Sequence, residues 1–183
     1  LARIHAIWGW GMGLRHGRLA SLQGATQLLG DADDEIRVQV LKVLSEGRLP
    51  PPSRLTLETE ISDAIAQKMV AQLASTNPRL RMQAGITLGR LGLGRVGLAA
   101  QQVPLGAFLH DAAADLKMPW LRHGLVMGLA GTQRSEDLLK LAQGQDAAPA
   151  TFATLALAKQ RSSLLAQLLA SPHQDVLNEA VRA

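Results

Sequence analysis

The most constraining feature of this 183-residue sequence is a segment that recurs four times with an arginine at the same place. Each copy starts with an apolar residue, continues with Arg, and has further apolar residues four and eight positions after the first. The arginines are Arg3, Arg37, Arg81 and Arg122, at intervals of 34, 44 and 41 residues. Residues at i, i+4 and i+8 lie on one face of an α-helix, so each copy predicts an amphipathic helix. Periods of this length are typical of α-solenoids.

A second set of apolar segments lies between the arginine-bearing helices. The partner helices are predicted at 19–29, at 61–73 and at roughly 104–109, and each is followed by a polar turn. Asp and Asn in such turns cap the next helix, and Pro is tolerated in a first helical turn. Because neither helix of such a pair can bury its apolar stripe alone, successive pairs are predicted to stack.

The last third of the chain follows this pattern less closely, because the Arg position is lost there. Its shorter helices are predicted at 135–143, 147–159, 162–170 and 174–182. We predict one all-α superhelix of helical hairpins over residues 1–183, with about five and a half repeats. An inter-repeat loop containing three prolines is predicted at 46–56, and weaker repeats at 132–183. The first repeat is incomplete, so we expect a fragment of a longer chain.

The composition agrees with an all-α protein. Hydrophobic residues make up 47% and charged residues 19%, but only 3% are aromatic and Tyr is absent, whereas strands favour aromatic and β-branched residues. The net charge of +4 permits an acidic partner without indicating one. Cysteine is absent, which excludes disulfides, thiolate metal sites and c-type haem attachment within this sequence. No apolar run is long enough to span a bilayer.

Several segments resemble a known repeat class. The sequence LLGDADDEIR at 28–37 is similar to the HEAT-repeat consensus of a leucine pair, an aspartate turn and Val-Arg. Three further segments resemble the HEAT region of large haem-binding proteins of planctomycetes and their relatives: RIHAIW at 3–8, NPRLRMQAGITLGRLG at 77–92 and WLRHGLV at 120–126. The resemblance extends over roughly residues 1–131.

This resemblance implies a place in a larger protein. In that family a propeller resembling a sugar dehydrogenase precedes the HEAT array, and a cytochrome c module follows it. The resemblance thus implies a spacer or docking array between two working modules of an exported, periplasmic cell-envelope protein. The Cys-x-x-Cys-His haem motif is absent from this sequence, so no haem or other cofactor is implied for any of its residues.

The arginine column has two interpretations. In HEAT-like units this Arg usually bonds to turn carboxylates or carbonyls of its own or the adjacent repeat, and Asp31, Asp33 and Asp111 are the candidates here. Such charge-assisted bonds tie neighbouring repeats together. Alternatively, the column forms a positive stripe along an inner groove that grips phosphates or an acidic partner. The acidic residues close by in sequence favour the structural role.

His123, beside Arg122 and near Trp120, belongs to the most interesting polar group in the sequence. Gln39 and Gln83 fall near the same register in neighbouring units, so a polar column lining the groove could contact a partner. The alternative is a histidine on the helix surface with no further role. None of the five histidines has a second one at the three- or four-residue spacing of a helical metal site.

The three tryptophans are candidates for partner anchors or for stacking platforms. Trp10 aligns with the apolar stripe and is predicted to lie in the core. Trp8 and Trp120 fall off that stripe, so they are the better surface candidates, although packing between repeats is the alternative for each.

We predict a non-catalytic scaffold whose second helices line a concave surface that docks a protein or a neighbouring domain of the same polypeptide. The alternative is binding of a nucleic-acid backbone by inner-face Arg and Lys. A third possibility, an enzyme of the DNA-glycosylase type, needs an acidic residue beside aromatics, and only Asp115 near Trp120 suggests one. No catalytic, cofactor-binding or metal-binding residues are predicted.

Overall fold

The chain is all-α throughout the part described by its structure, a computed structural model. The described residues are 1–16, 22–46, 61, 63–92 and 103–183. Within these ranges the backbone forms α-helices and short 3-10 helices and contains no strand. The all-α prediction is therefore confirmed for these residues.

Ten α-helices lie in these ranges, and we number them in chain order. They are α1 (Ala2–Arg15), α2 (Gln23–Leu28), α3 (Asp34–Glu46), α4 (Asp63–Ala71), α5 (Pro78–Leu91), α6 (Ala112–Asp115), α7 (Pro119–Thr132), α8 (Ser135–Ala142), α9 (Ala147–Gln160) and α10 (Gln174–Arg182). The 3-10 helices are Gln72–Ala74, Leu105–Leu109 and Ser163–Leu168.

Helix α5 illustrates how the sequence determines helix ends. The Asn77 side chain accepts hydrogen bonds from the backbone N–H groups of Arg79 (3.0 Å) and Leu80 (3.4 Å), two of the first-turn groups that lack the usual helical partner four residues earlier. Pro78 occupies that turn, where its missing N–H costs nothing. Gly92 ends the helix in the left-handed conformation, with φ of 66°, which glycine adopts without steric cost.

The arginine-bearing helices pack against one another in chain order. Helix α1 packs on α3, α3 on α5 and α5 on α7; α7 then packs on α9 and α9 on α10. We call α1, α3, α5, α7 and α9 the second helices. The shorter α2, α4, α6 and α8, with the 3-10 helices, lie beside them and are called the first helices. In the described part of the chain, no helix of the first third is in extensive contact with a helix of the last third.

The predicted apolar stripes form the core of the middle repeats. Their side chains are at most 2% exposed in all three helices: Ile36, Val40 and Leu44 of α3, Leu80, Ala84 and Leu88 of α5, and Leu121, Leu125 and Leu129 of α7. Burial of a leucine side chain of this kind contributes about 1.5–3 kcal/mol. The stripe that recurs in the sequence is thus the buried side of each of these three helices.

Helices α5 and α7 approach until their backbones touch. A Cβ added at Gly85 would lie 2.5 Å from the carbonyl oxygen of Gly124, and one added at Gly124 would lie 2.7 Å from that of Met82. The same crowding is found at Gly89, Gly128 and Gly131. No side chain fits between the two helices at these positions, so their close approach depends on glycine.

The first helices differ from their predicted extents. The predicted helix 61–73 is α4 followed by a 3-10 turn, and the predicted helices 104–109 and 162–170 are largely 3-10. The predicted helix 19–29 corresponds to α2, and its residues 19–21 lie outside the described residues. Of the predicted loop 46–56, Glu46 is the last residue of α3 and the rest is likewise not described.

Candidate interaction surface

One side of the second helices remains uncovered. With about 100° of rotation per residue, the apolar stripe lies one residue before, and three and seven residues after, each repeated Arg. The far side carries the residues two before and one, five and nine after it, and we call these side chains the open face. Its members in α1, α3, α5 and α7 are Leu1, Ile4, Trp8, Met12, Glu35, Val38, Lys42, Glu46, Arg79, Met82, Ile86, Arg90, Trp120, His123 and Met127. All except the buried Val38 are exposed or half-buried. The equivalent last position of α7 is Gly131, which instead faces Gly89 of α5.

The open face carries two large aromatic side chains. Trp8 of α1 is 47% exposed and Trp120 of α7 is 46% exposed. Trp8 lies five residues after Arg3, and Trp120 lies two residues before Arg122. These two positions of the repeated segment are seven residues apart, about two helical turns, so both side chains point to the same side of the helix layer. Trp10, predicted to lie in the core, is half-buried and packs against core residues. Trp10 is therefore less exposed than Trp8 and Trp120, but it is not enclosed in the core as predicted.

The Trp8 indole is held by a chain of hydrogen bonds that crosses three helices. Its Nε1 donates to Gln39 Oε1 of α3 at 2.8 Å, and Gln39 Nε2 donates to Glu35 Oε1 at 2.6 Å. Glu35 also pairs with Arg79 of α5, with 2.9 Å between Nη1 and Oε2. The His5 ring meets the Trp8 ring edge-on at 5.8 Å. Trp8 is thus an exposed aromatic with a fixed orientation, which lowers the entropy cost of contact with a partner.

The arginine column lies beside the apolar stripe and away from the open face, and Arg81 is its most buried member. Arg81 is 8% exposed and forms two hydrogen bonds with the Asp115 carboxylate, of which Nη1 to Oδ1 is 2.9 Å. Its Nε also donates to the Leu73 carbonyl oxygen at 3.2 Å. One guanidinium therefore joins α5 to the end of its own first helix and to α6 of the next repeat.

Two other members of the column also bond to nearby acidic residues. Arg3 pairs with Asp31, one of the predicted turn carboxylates. Arg37 pairs with Asp34 in its own helix and donates to Gln72 Oε1 at 3.1 Å. The Arg3 pair therefore reaches the turn before α3, and the Arg37 hydrogen bond reaches the 3-10 helix that contains Gln72.

The remaining predicted partners have other positions. Asp33 accepts a hydrogen bond from the Glu35 backbone N–H at 2.9 Å and so caps α3. Asp111 precedes α6, and Asp115, four residues later, pairs with Arg81 in its place. Arg122 is half-buried and has no hydrogen bond or ion pair with any described residue. Arg122 therefore differs from the other three arginines of the column, each of which bonds to a carboxylate.

Asp34 marks the junction between two repeats. Its carboxylate accepts a hydrogen bond from Asn77 Nδ2 at 2.7 Å and pairs with Arg37. The Asn77 amide first, and then the Arg37 guanidinium, lower the pKa of Asp34 below its ordinary value. Asn77 also caps α5, so a single amide links the start of α3 to the start of α5.

His123 lies on the open face one turn after Trp120, and its side chain is exposed. The two glutamines predicted near its register lie elsewhere. Gln39 and Gln83 are only 7% and 8% exposed, and both lie between packed helices. The exposed group around His123 is therefore confined to the start of α7 and is not continued by glutamines in the neighbouring units.

The charges on and beside the open face are mixed. Arg15 pairs with Glu46 at 3.1 Å and Arg79 pairs with Glu35. Lys42 has no ion pair with any described residue, and Arg90 only approaches the Ser45 hydroxyl at 3.5 Å. The surface therefore combines apolar and aromatic side chains with two ion pairs and with two cations, Lys42 and Arg90, that have no ion pair with any described residue.

Two kinds of reactive site can be examined among the described residues: a glycosylase-type acid and a cluster of metal ligands. Asp115, the acidic residue that a glycosylase-type site would use, is 1% exposed and bonded to Arg81, so it is not presented to a substrate. Nowhere in the described ranges do three or more His, Asp or Glu side chains converge as metal ligands would. No helix among the described residues has the length and apolar character needed to cross a membrane.

The glycine contact between α5 and α7 was not part of the sequence prediction. Its signal was available, because Gly85 with Gly89, and Gly124 with Gly128, each have the four-residue spacing that places two glycines on one helix face. A pair of such faces permits backbone contact.

Comparison with known protein families, with characterised proteins and with solved structures finds no match to this chain. Its function is therefore inferred from its own residues and packing.

Proposed function

We propose that this chain is a HEAT-like α-solenoid that acts as a non-catalytic scaffold. Its open face docks a protein or a neighbouring domain of the same polypeptide. The support for the solenoid is the order of packing, in which each second helix contacts the next one along the chain. Further support comes from the buried Arg81–Asp115 pair between adjacent repeats. A fold built from such neighbour contacts exposes a long surface for binding.

The observation that carries the binding role is the pair of half-exposed tryptophans on one side of the second-helix layer. Tryptophan is enriched among the residues that dominate the binding energy of protein interfaces. Trp8 and Trp120 lie on α1 and α7, with α3 and α5 between them. A partner that contacts both therefore spans four second helices.

The same surface argues for a protein rather than a nucleic acid. Three arginines of the column bond to carboxylates near the first helices, away from the open face. On and beside the open face Glu35 and Glu46 offset Arg79 and Arg15, so that only Lys42 and Arg90 remain there without an ion pair to a described residue. A backbone-binding groove needs several uncompensated cations, each releasing counterions on contact with phosphate.

The cellular setting is proposed from the resemblance alone. We propose that the chain is the spacer array of an exported redox protein, between a dehydrogenase-like propeller and a cytochrome c module. The sequence of the full-length gene tests this. A signal peptide upstream and a Cys-x-x-Cys-His motif downstream agree with the proposal, whereas a gene that encodes neither contradicts it.

The binding role is tested with two matched double variants. In the first, Trp8→Ser and Trp120→Ser remove the open-face tryptophans; in the second, Leu169→Ser and Val181→Ser remove exposed apolar side chains that lie elsewhere. Each chain is immobilised, and the proteins that it captures from a cell extract are quantified. At about 2 kcal/mol for each anchor residue, we expect the tryptophan variant to lose its partner by well over tenfold and the control variant to keep it.

Nucleic-acid binding, the competing role, is tested by titration of the chain with duplex DNA and with RNA. Binding that weakens steeply as salt rises, and that is unaffected by loss of the tryptophans, indicates phosphate contacts and contradicts the proposed protein-docking role. Capture that is identical for the wild-type chain and the tryptophan variant contradicts it as well.

A further inference from the structure

The middle of the open face carries two cations that no described carboxylate neutralises. Lys42 of α3 and Arg90 of α5 are both exposed, and neither forms an ion pair with any described residue. The two glutamates of the open face, Glu35 and Glu46, are each paired with a different arginine. Among the described residues, this part of the surface therefore has unbalanced positive charge.

A buried serine brings the two cations to neighbouring positions. Ser45 is 3% exposed, and its Oγ donates to the Lys42 carbonyl oxygen at 2.8 Å. Arg90 Nη1 approaches the same Oγ at 3.5 Å, so the guanidinium crosses from α5 to α3 within one helical turn of Lys42. Like charges at such positions repel each other, whereas one carboxylate placed between them is attracted by both.

An apolar patch adjoins these cations. Ile86 occupies the position in α5 that Lys42 occupies in α3, and it lies one turn before Arg90. The backbones of α5 and α7 touch at their glycines, so the open-face side chains of the two helices form one continuous surface. Those of the patch are Met82, Ile86, Trp120 and Met127, all half-buried or exposed.

This combination selects a protein segment as the occupant. Methionine side chains adapt their shape to an apolar partner, and an exposed tryptophan beside them supplies a large contact area. A nucleic-acid backbone would satisfy the two cations, but its phosphates and sugars offer nothing to the patch. A segment with a carboxylate next to aliphatic or aromatic side chains complements both parts at once.

We propose that the part of the open face formed by α3, α5 and α7 binds an acidic, apolar segment of a partner protein. One Asp or Glu carboxylate of that segment bonds to Lys42 and Arg90, and its neighbouring apolar side chains cover the patch. This inference rests on the proposed docking role of the open face and adds the chemistry of the partner.

The test is a selection of random peptides, displayed on phage, for binding to the intact chain. We expect the selected peptides to carry Asp or Glu beside apolar residues. The best of them is then synthesised with a fluorescent label, and its affinity is measured by anisotropy. A second version of this peptide has the amide in place of each carboxylate.

Two matched double variants of the chain locate the carboxylate. Lys42→Glu with Arg90→Glu reverses the two cations, and Lys159→Glu with Arg161→Glu reverses one Lys and one Arg that are exposed at the end of α9. We expect the first variant to bind the acidic peptide at least about tenfold more weakly and the second to bind it normally. The amide peptide is expected to bind the wild type and the first variant equally, because it has lost the group that the cations attract.

Four outcomes overturn the proposal. They are selected peptides without acidic residues, equal binding of the acidic peptide to the wild type and to the Lys42→Glu, Arg90→Glu chain, tighter binding of duplex DNA that the same variant abolishes, and self-association that it abolishes. The third outcome assigns the cations to phosphate, and the fourth makes a second copy the occupant.

The double variant Trp8→Ser, Trp120→Ser reports on the docking role separately. A selected peptide that this variant weakens, but that the charge-reversed chain binds normally, removes only the acidic partner and leaves the docking role intact. A peptide that binds both variants as tightly as the wild type contradicts the two proposals together.

Discussion

At the scale of single residues, the Arg81–Asp115 pair is the interaction with the largest consequences. Both side chains are withdrawn from water, at 8% and 1% exposure, so each would carry a heavy desolvation cost if it were alone. Their two mutual hydrogen bonds and the bond from Arg81 to the Leu73 carbonyl offset that cost. Such a pair adds little net stability over an apolar pair, but the removal of one partner is expensive.

Asp115→Ala is expected to lower the free energy of unfolding by about 3–5 kcal/mol, because it leaves the Arg81 charge buried and unpaired. The matched change is Arg134→Ala, which breaks the exposed pair with Asp137 and is expected to cost far less, because water solvates and screens that pair. Urea denaturation followed by circular dichroism measures both. Equal losses for the two variants would show that the Arg81 site is as solvated as the protein surface.

Asp34 gives the stability a specific dependence on pH. Its pKa in the folded chain is lowered by the Asn77 amide and the Arg37 guanidinium. The unfolded chain therefore takes up the proton first as the pH falls. The contribution of Asp34 is complete above its unfolded pKa of about 3.9 and is lost as the pH falls through the lower folded value.

The wild-type chain is therefore expected to lose stability more steeply than Asp34→Asn between about pH 5 and pH 3. Urea midpoints across this range provide the measurement. Asp111→Asn is the control, because the Asp111 side chain makes no capping hydrogen bond. Parallel curves for the wild type and Asp34→Asn would mean that Asp34 forms no such bonds in solution.

At the scale of helices, the contact between α5 and α7 depends on the absence of side chains. Gly85 and Gly124 face each other at a separation that leaves no room for a Cβ on either helix. The neighbouring atoms are backbone atoms, which cannot rotate away as a flexible side chain can. A methyl group at this position must push the two helices apart.

Gly85→Ala is expected to destabilise the chain by about 1–3 kcal/mol through overpacking, although alanine is the better helix former. At Gly9 of α1 an added Cβ meets nothing within 4 Å, so Gly9→Ala is expected to stabilise by about 0.5–1 kcal/mol. Thermal denaturation compares the two substitutions. The same sign at both positions would contradict the close approach of α5 and α7.

The second helices could be predicted from sequence because one physical rule determines them. Leucines and other apolar residues four apart, as at Leu80, Ala84 and Leu88, define a buried stripe whatever the partner is. The first helices are short, and segments such as 105–109 form 3-10 turns that the 3.6-residue period does not describe.

The partners of the arginine column could be predicted only to within a helical turn. The spacing indicated an acidic residue near Asp111, but Asp111 and Asp115 are one turn apart and only the packing of α6 selects Asp115. The half-exposed state of Trp8 and Trp120 follows from their place off the stripe. The bond from Trp8 to Gln39 joins separate helices, and no pattern within either helix predicts it.

At the scale of the whole molecule, we propose that the second helices and α10 form a single layer stacked in chain order. Between α1 and α10 there are five successive helix contacts, through α3, α5, α7 and α9. Packed helices lie about 8–10 Å apart, so five successive contacts separate the ends of such a layer by about 40–50 Å. A compact arrangement would instead bring the first and last thirds together. The distance between α1 and α10 therefore distinguishes the two arrangements.

The absence of cysteine from the sequence allows that distance to be measured with spin labels at two introduced cysteines. Gly9→Cys and Asn178→Cys place labels at exposed positions of α1 and α10, and Lys42→Cys replaces Gly9→Cys in a control pair that starts one helix later. Pulsed electron paramagnetic resonance is expected to give about 40–50 Å for the first pair and a distance about 8–10 Å shorter for the second. A distance below about 20 Å for the first pair, or no shortening in the control pair, would contradict the stacked layer.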